Sequence, residues 1–412
     1  MPALKNPATI IVLLAALQVL SATYFLNIPG FYAIDSCLFL FSGVGIALCL
    51  LNTPATEIQG KEIVSRQFFL KLLFIALLLP ISYQLARHIM DNTPLQYQDA
   101  DMLPIMKVMG QRFWQGQWRQ IYQPIPEIWN GIKPIYLPAM WLPFSLSIVF
   151  HFDIRWITVC GIWLSVIVCL LPRWKRTWQA VPLIAAFLIL LTWLHTDDDN
   201  SVIELTEEGV IFFYYSLLTF AIIFRNPWIV GIAAALCLLS RYSFIGWIPF
   251  AVLYFLVRKE YFFLFKTMVA AAGVILILVV LPFGTGPLLD HLHLHHDYIS
   301  QAKKVWHNNP EFFYNDLGMA KFFGPAHIGL LHAVLEGGTF LIPLVFLFFA
   351  RKKILTGSNL LLAGFQLSLT FFYNFLDVTY LYLYYTPVCV SLAIASWSLY
   401  ASRRFVPTGL HN

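Results

Sequence analysis

Long apolar runs separated by short polar turns extend along the chain from residue 8 to residue 400. A helix needs roughly 17 to 25 apolar residues to cross the hydrocarbon core of a bilayer. The pattern predicts twelve such segments, at residues 8–26, 33–51, 68–87, 155–172, 179–195, 210–225, 228–241, 243–257, 262–282, 328–350, 358–376 and 378–400. The sequence therefore predicts an all-α, polytopic integral membrane protein that forms one membrane domain, residues 1–412.

The two segments around Ser240 and Arg241 are shorter than a full span. We expect two tilted or broken helices that meet at this polar point, because such backbone is tolerated at membrane depth only where protein or a cavity supplies partners.

Composition supports the membrane assignment. The chain is 59% hydrophobic and 11% charged, which excludes a soluble domain. Its net charge of +5 is spread over short turns and predicts no nucleic-acid partner. The six cysteines fall in apolar segments without Cys-x-x-Cys spacing, which indicates packed side chains rather than disulfides or metal ligands.

Basic residues are retained on the cytoplasmic side of membrane proteins. When residues 133–152 are treated as a helix on the outer surface, most of the 26 basic residues fall inside, together with only Glu57, Glu62 and Glu260 among the acids. This topology predicts twelve spans, both termini in the cytoplasm, and two long loops, 88–154 and 283–327, on the outer face of the membrane.

Polar residues gather on this outer face. The first loop contains Gln98-Asp99-Ala100-Asp101 and a predicted amphipathic helix from Met102 to Trp118. The second contains a histidine-rich run at residues 291–296. A shorter turn on the same side carries Asp197, Asp198 and Asp199, a group of carboxylates that would suit a divalent cation.

The order of these motifs resembles the GT-C superfamily of polyprenyl-phosphate-sugar-dependent glycosyltransferases, and most closely the bacterial polyprenol-phosphate-mannose mannosyltransferase branch. The matching residues are Asp101 after the first core span, Arg112 to Gly116, Tyr122, Tyr136-Leu137-Pro138, Glu208-Gly209-Val210 and the alanine-rich segment that ends at Arg241. Val210 stands where the family has Gln, and Arg241 stands where it has Lys. The resemblance covers residues 68–400, with residues 8–51 as an additional N-terminal hairpin.

This resemblance implies a transferase that moves a hexose or pentose, with inversion, from a polyprenyl-phosphate donor to a hydroxyl of a glycan or glycolipid acceptor. The branch it resembles is metal-independent, so no cofactor is expected, with Asp197 to Asp199 as the place where a divalent cation would bind. A lipid-linked glycan transporter or flippase without transferase activity is the alternative. A transporter would place ionisable groups near the bilayer midplane and show inverted repeats, whereas the acids here gather on one face.

Sugar transfer to a hydroxyl needs a base for its proton and cations for the departing phosphate. Asp101 is the expected base, with Asp99 in reserve. The other reading of Asp101 is the N-cap of the helix that contains Pro104. For Arg241 we expect either contact with the donor phosphate or an ion pair with Glu207 or Asp377.

Lys303, Lys304 and Arg112 are further candidates for phosphate contacts, although a solvated surface role suits each of them as well. Trp114, Tyr122, Tyr136 and His295 are the candidates for sugar or acceptor binding. Anchoring at the level of the lipid headgroups would equally explain the tryptophans, and interfacial placement would explain the histidines.

Overall fold

The structure, a computed structural model, describes residues 6–53, 66–95, 102–128, 131–172, 174, 177–196, 202–293, 295–350 and 358–401. The first ten helices are α1 (Pro7–Ser21), α2 (Tyr32–Leu50), α3 (Arg66–Asn92), α4 (Met102–Trp114), α5 (Pro138–Trp141), α6 (Leu146–Phe150), α7 (Arg155–Leu170), α8 (Thr177–Thr196), α9 (Val202–Leu205) and α10 (Glu208–Phe224). The remaining ten are α11 (Pro227–Leu238), α12 (Trp247–Val257), α13 (Tyr261–Ile275), α14 (Leu281–Phe283), α15 (Gly286–His293), α16 (His295–Asn308), α17 (Glu311–Tyr314), α18 (Ile328–Ala350), α19 (Ser358–Asn374) and α20 (Tyr385–Ala401). Within the described ranges no β-strand forms, and the only extended pairing is a single bridge between Ile125 and Ile132.

Short 3-10 or π-helical turns link several of these helices. The 3-10 turns are Tyr24–Asn27, Trp118–Gln120, Pro143–Ser145, Tyr242–Phe244, Ala320–Phe322, Pro325–His327 and Leu381–Tyr384. A π-helical turn, Leu276–Val280, joins α13 to α14.

Within the residues that the structure describes, six helical stretches have the length and apolar composition needed to cross a membrane. They are Pro7–Asn27, Tyr32–Leu50, Phe69–Asn92, Trp178–Thr196, Tyr261–Phe283 and Pro325–Ala350. The all-α prediction is confirmed for the described residues. A helix overlaps each of the twelve predicted segments, but twelve membrane spans stay a prediction. As expected, α11 and α12 are short helices that meet around Arg241.

Several predicted boundaries differ from the structure by a few residues, and two of these differences have a clear local cause. The amphipathic helix ends at Trp114 rather than Trp118, because the chain reverses at Gly116, which has φ of +74°, and the N–H of Gln117 bonds back to the carbonyl of Arg112. The last predicted segment, 378–400, becomes helical only at Tyr385 after a 3-10 turn.

Helices α7 and α10 cross at two glycines. A Cβ atom added at Gly161 would overlap the backbone of Gly209, and one added at Gly209 would overlap the carbonyl of Thr158. Small residues at such crossings let two backbones approach closely in membrane proteins. The crossing therefore fixes the position of Glu208, the first residue of α10.

The end of α3 and the starts of α7 and α10 lie together at one end of the bundle, named here the loop-rich end. Arg155, the first residue of α7, donates to the carbonyls of Met90 and Thr93 at the end of α3, at 2.9 and 2.6 Å. The Thr158 hydroxyl donates to the carbonyl of Thr206, just before α10, at 2.6 Å. Buried Arg155 therefore satisfies carbonyls that the last turn of α3 leaves without helical partners.

Helix α4 lies at this end and packs against the segment from α5 to α6. The two backbones approach where Gly110 faces Ser145, and the indole N–H of Trp114 donates to the Ser145 carbonyl at 3.0 Å. The predicted surface helix 133–152 is thus a chain of short helical pieces over residues 138–150, too short to cross a bilayer.

The N-terminal hairpin is part of the packed core. Helices α1 and α2 contact each other as well as α8, α19 and α20. Within this interface the amide of Gln18 donates to the carbonyl of Phe39 at 3.3 Å. Residues 8–51 lie outside the part of the chain that resembles the GT-C superfamily. This hairpin nevertheless packs as part of the same bundle.

Candidate functional site

Arg241 and two glutamates form an ionic cluster at the loop-rich end. Arg241 has an extended backbone between α11 and the turn Tyr242–Phe244, while Glu207 and Glu208 open α10. The Arg241 Nη2 lies 2.7 Å from Oε1 of Glu207 and also bonds Oε1 of Glu208. The Thr386 hydroxyl donates to the other Glu208 oxygen at 3.0 Å. These four residues are named the Arg241 cluster.

Because Glu207 and Glu208 are buried, their carboxylates require a charged partner such as Arg241. The exposed fractions of the side chains are 1% for Glu207, 0% for Glu208 and 20% for Arg241. A buried charge is tolerated when it is paired and hydrogen-bonded. One guanidinium thus compensates two carboxylates, so the cluster carries a formal charge of −1 when both glutamates are ionised.

Hydroxyl groups line one side of this cluster. The Tyr215 hydroxyl lies 2.8 Å from the Ser243 hydroxyl, which lies 3.2 Å from the hydroxyl of Tyr373. All three side chains are buried, and together they connect α10, the turn after Arg241, and α19. This network holds the Arg241 turn in one position between two helices.

The sequence left Glu207 and Asp377 open as ion-pair partners for Arg241, and the structure pairs it with Glu207 and Glu208. Asp377 instead bonds Nδ1 of His332, whose Nε2 lies 3.4 Å from Glu336. Tyr298 on α16 is close enough to both Arg241 and Asp377 for each charge to act on its phenol. Contact of Arg241 with a donor phosphate stays a prediction.

Arg112 holds a loop together. Its Nη1 donates to the carbonyls of Gln120 and Gln123, each at 2.7 Å, and its Nη2 donates to the carbonyl of Pro124 at 3.1 Å. Hydrogen bonds from a charged donor are stronger than neutral ones. The guanidinium therefore already closes residues 115–124 onto α4, and phosphate binding by Arg112 would compete with these three bonds.

Lys303 and Lys304 lie exposed on α16. The opposite face of that helix buries Ala302 and Trp306, and the Trp306 ring stacks on Phe313 at 4.0 Å between centroids. The two lysines therefore point away from the packed face of α16.

The predicted sugar-binding aromatics belong to one ring cluster around α4. Trp114 and Trp118 are 50% and 49% exposed, and Phe113 contacts both rings. The Tyr122 hydroxyl accepts from the Trp141 indole at 3.4 Å. Tyr136 is half-buried against the same core. The exposed indoles are open both to a sugar and to lipid headgroups.

Several predicted residues cannot be placed. Asp99, Asp101, Asp197, Asp198 and Asp199 lie outside the described residues, and so does the side chain of His295. Asp101 directly precedes Met102, the first residue of α4, and Pro104 falls in the first turn of that helix as expected. The proposed base and the proposed cation site therefore stay predictions.

A cavity beside α4 with both polar and apolar lining residues was not anticipated from the sequence. It has a volume of about 330 Å³ and is lined by Leu95, Lys107, Gln111, Ser147, Ile148, His151, Phe152, Asp153 and Ile154. We name it the Lys107 cavity. The signal in the sequence was the pair Lys107 and Gln111, four residues apart on the predicted amphipathic helix and hence on one face of it.

A chain of contacts connects the Lys107 cavity to the Arg241 cluster. Asp153 lines the cavity and is bound by Arg155, which begins α7. One helical turn further on, Thr158 bonds Thr206, the residue before Glu207. The two sites are thus joined by the first turn of α7, a rise of about 5 Å along the helix axis.

The sequence analysis also did not predict a second buried ionic group, which contains Asp35 and Lys321. Asp35 in α2 is fully buried, interacts with Ser21 and lies in the field of Lys321. Lys321 donates to the carbonyls of Asp316 and Tyr32, at 2.5 and 3.2 Å. The available signal was an acidic residue within an apolar segment, where ionisable groups are rare.

Comparison with known proteins yields no match, whether to a family model, to a curated protein or to a solved structure.

Proposed function

We propose that this protein is an integral membrane glycosyltransferase of GT-C type. It transfers a hexose or pentose from a polyprenyl-phosphate donor to a hydroxyl of a glycan or glycolipid acceptor, with inversion at the anomeric carbon. The observation that carries the proposal is the Lys107 cavity, bounded by α4 and lined by Leu95, only a few residues before Asp99 and Asp101. Ligand cavities in proteins commonly have volumes of about 300 to 1,000 Å³.

The proposal assigns the proton chemistry to Asp101. A carboxylate at the start of α4 would take the acceptor proton as the hydroxyl attacks the anomeric carbon, while the donor phosphate leaves with the bonding electrons. General base catalysis typically contributes about 10²- to 10⁴-fold in rate. Asp99 is the reserve for this role.

The described residues supply a setting for this reaction. The Arg241 cluster and the network of Tyr215, Ser243 and Tyr373 hold the starts of α10 and α12 in fixed positions beside α7. Exposed Trp114 and Trp118 offer aromatic faces at the same end of the bundle. Rigid helices that flank a cavity position reacting groups more accurately than mobile loops do.

The proposed topology has twelve spans with both termini in the cytoplasm and the loop-rich end on the outer face of a bacterial plasma membrane. In the part of the chain that the structure describes, six helices have the length and composition for crossing. The short helices α11 and α12 would form a broken pair that meets at Arg241 on the outer side. Acceptor and donor would then meet outside the cell, where envelope glycans are assembled.

Mass spectrometry of cell-envelope glycans, with and without the gene, tests this function. The proposal expects the loss of one sugar residue from a glycan and its return when the wild-type protein is supplied. A glycan of unchanged composition that accumulates as a complete, inward-facing glycolipid would instead identify a flippase and contradict the proposal.

A further inference from the structure

We propose that the Lys107 cavity binds the phosphate of a polyprenyl-phosphate lipid, with Lys107 as its cation and with the isoprenoid chain along α6. This assignment rests on the proposed function, because it names the place where that donor's phosphate would lie. It differs from the phosphate contacts expected from the sequence, which were Arg241, Arg112, Lys303 and Lys304.

The charges around the cavity favour an anion. Asp153 is the acidic residue that lines the cavity. Arg155 forms a bidentate ion pair with it, in which Nε lies 2.9 Å from Oδ1 and Nη2 lies 2.7 Å from Oδ2. Burial alone would raise the pKa of Asp153, but the hydrogen bonds and charges of Arg155, with the charge of Lys107, hold that pKa below its ordinary value. Arg155 therefore balances the ionised Asp153, and the positive charge of Lys107 remains for a ligand.

The other basic residues expected to bind phosphate either already have hydrogen-bond partners or are exposed on α16. Arg241 is bonded to two buried carboxylates, and Arg112 is bonded to three carbonyls. Lys303 and Lys304 are exposed on the outer side of α16. Among these basic residues and Lys107, Lys107 alone lines the 330 Å³ cavity.

The rest of the lining adds polar groups of the kind that hold a phosphate. Gln111 lies one turn after Lys107 on the same face of α4, and its amide can donate. His151 faces them from the end of α6, with a left-handed backbone at φ of +54° that ends the helix. A lysine acts on phosphate as a point charge, and neighbouring donors fix the orientation.

An apolar surface leads away from the same cavity. Leu146, Val149 and Phe150 on α6 are exposed by 43%, 42% and 68%, and Phe152 on the cavity lining is 36% exposed. A contiguous apolar surface beside a cationic cavity matches a ligand with a charged head and a long hydrocarbon chain. A lipid phosphate fits this arrangement better than a water-soluble phosphate does.

Binding of two isoprenyl phosphates tests the inference. Full-length protein in phosphatidylcholine nanodiscs would be titrated with dimethylallyl phosphate and with a C20 isoprenyl phosphate, and complexes counted by native mass spectrometry. We expect Lys107→Gln to weaken both ligands by about tenfold or more, as loss of a charged hydrogen bond implies. Lys107→Arg should keep most of the affinity, and Lys259→Gln, which changes an exposed lysine with no proposed role in binding, is the matched control.

Phe150→Ser tests binding of the isoprenoid chain separately from binding of the phosphate. It should reduce the advantage of the C20 ligand while leaving the binding of dimethylallyl phosphate unchanged. Unchanged C20 affinity in Lys107→Gln, with an unchanged melting temperature, would overturn the inference, and so would an equal loss in Lys259→Gln.

The following results distinguish failure of this phosphate site from failure of the proposed transferase function. If phosphatidylglycerol competes with the C20 ligand at equal concentration, the cavity is a general phospholipid headgroup site and the donor assignment is wrong. If Lys107→Gln loses the C20 ligand but the envelope glycans do not depend on the protein, the binding site stands and the transferase proposal fails. Sugar transfer that persists with normal C20 binding in Lys107→Gln would overturn the site alone.

Discussion

Nη2 of Arg241 lies 2.7 Å from Oε1 of Glu207, and the same nitrogen bonds the neighbouring Glu208. Both carboxylates are almost fully buried, so the guanidinium compensates two charges that have little access to water. Removing one member of a buried ion pair leaves an uncompensated charge, which is more costly than never forming the pair. Arg241 therefore stabilises the start of α10 whether or not it also contacts a ligand.

Arg241→Gln should lower the free energy of unfolding by about 3 to 5 kcal/mol, because it strands two carboxylates. Neutralising them as well, in Arg241→Gln with Glu207→Gln and Glu208→Gln, should recover most of this loss. Thermal unfolding in detergent, followed by tryptophan fluorescence, measures both changes. A single variant as stable as the wild type would contradict the pairing.

The triple variant also decides whether Arg241 binds the donor phosphate. If Arg241 is a phosphate ligand, the triple variant should be stable yet bind a C20 isoprenyl phosphate weakly. If its role is confined to the ion pair, stability and affinity should return together. The single variant cannot separate these roles, because partial unfolding would lower affinity by itself.

Gly161→Ala should destabilise the protein by about 1 to 3 kcal/mol, since overpacking forces backbones apart. The added methyl group would overlap the backbone of Gly209, next to Glu208. We expect a lower melting temperature and loss of sugar transfer. Gly337→Ala is the control, because a Cβ atom at Gly337 in α18 meets open space, and its stability should rise by up to about 1 kcal/mol.

Arg112→Gln should loosen the loop of residues 115–124. Loss of hydrogen bonds from a charged donor costs about 1.5 to 3 kcal/mol. Limited proteolysis should cut this loop faster in Arg112→Gln, whereas Arg119→Gln, which changes an exposed arginine in the same loop, should behave as the wild type. Equal cleavage rates in the two variants would show that the three carbonyl contacts of Arg112 contribute little.

Labelling of single cysteines tests the proposed topology. Lys304 lies exposed at the loop-rich end, and Lys259 lies exposed in the turn between α12 and α13 at the other end. In a background with the six native cysteines replaced, an impermeant maleimide should reach Lys304→Cys from outside intact cells and Lys259→Cys only after permeabilisation. Labelling of both from the same side would contradict the orientation and the outer-face site.

The apolar pattern predicted the helices well because hydrophobic length dominates membrane folding. A helix overlaps each of the twelve predicted segments, including the broken pair at Arg241, where an isolated cation within apolar sequence signals a partner. Twelve membrane spans stay a prediction, because six helical stretches among the described residues have the length and composition to cross. Boundaries that depend on local hydrogen bonding were less accurate. The early end of α4 depends on a reversal at Gly116, which hydropathy does not register.

The site was less predictable because its contacts join distant residues. Glu207 and Glu208 meet Arg241, and Thr386 meets Glu208, only through the packing of α10, α11 and α20. Arg112 looked available for phosphate, yet it bonds carbonyls 8 to 12 residues further along the chain. Lys107 was not among the candidates from the sequence, because it lines a cavity only through the packing of residues 147–154 beside α4.

Single-turnover sugar transfer by Asp101→Asn tests the central claim most directly. Purified protein in nanodiscs would receive labelled polyprenyl-phosphate sugars, a hexose and a pentose, together with envelope glycolipid acceptors. Asn keeps much of the capping ability of Asp, so Asp101→Asn should fold and bind the donor but transfer about 10²- to 10⁴-fold more slowly than the wild type. Asp99→Asn should keep most of the wild-type rate. Near-normal transfer by Asp101→Asn would contradict the account, and a loss confined to Asp99→Asn would move the base two residues upstream.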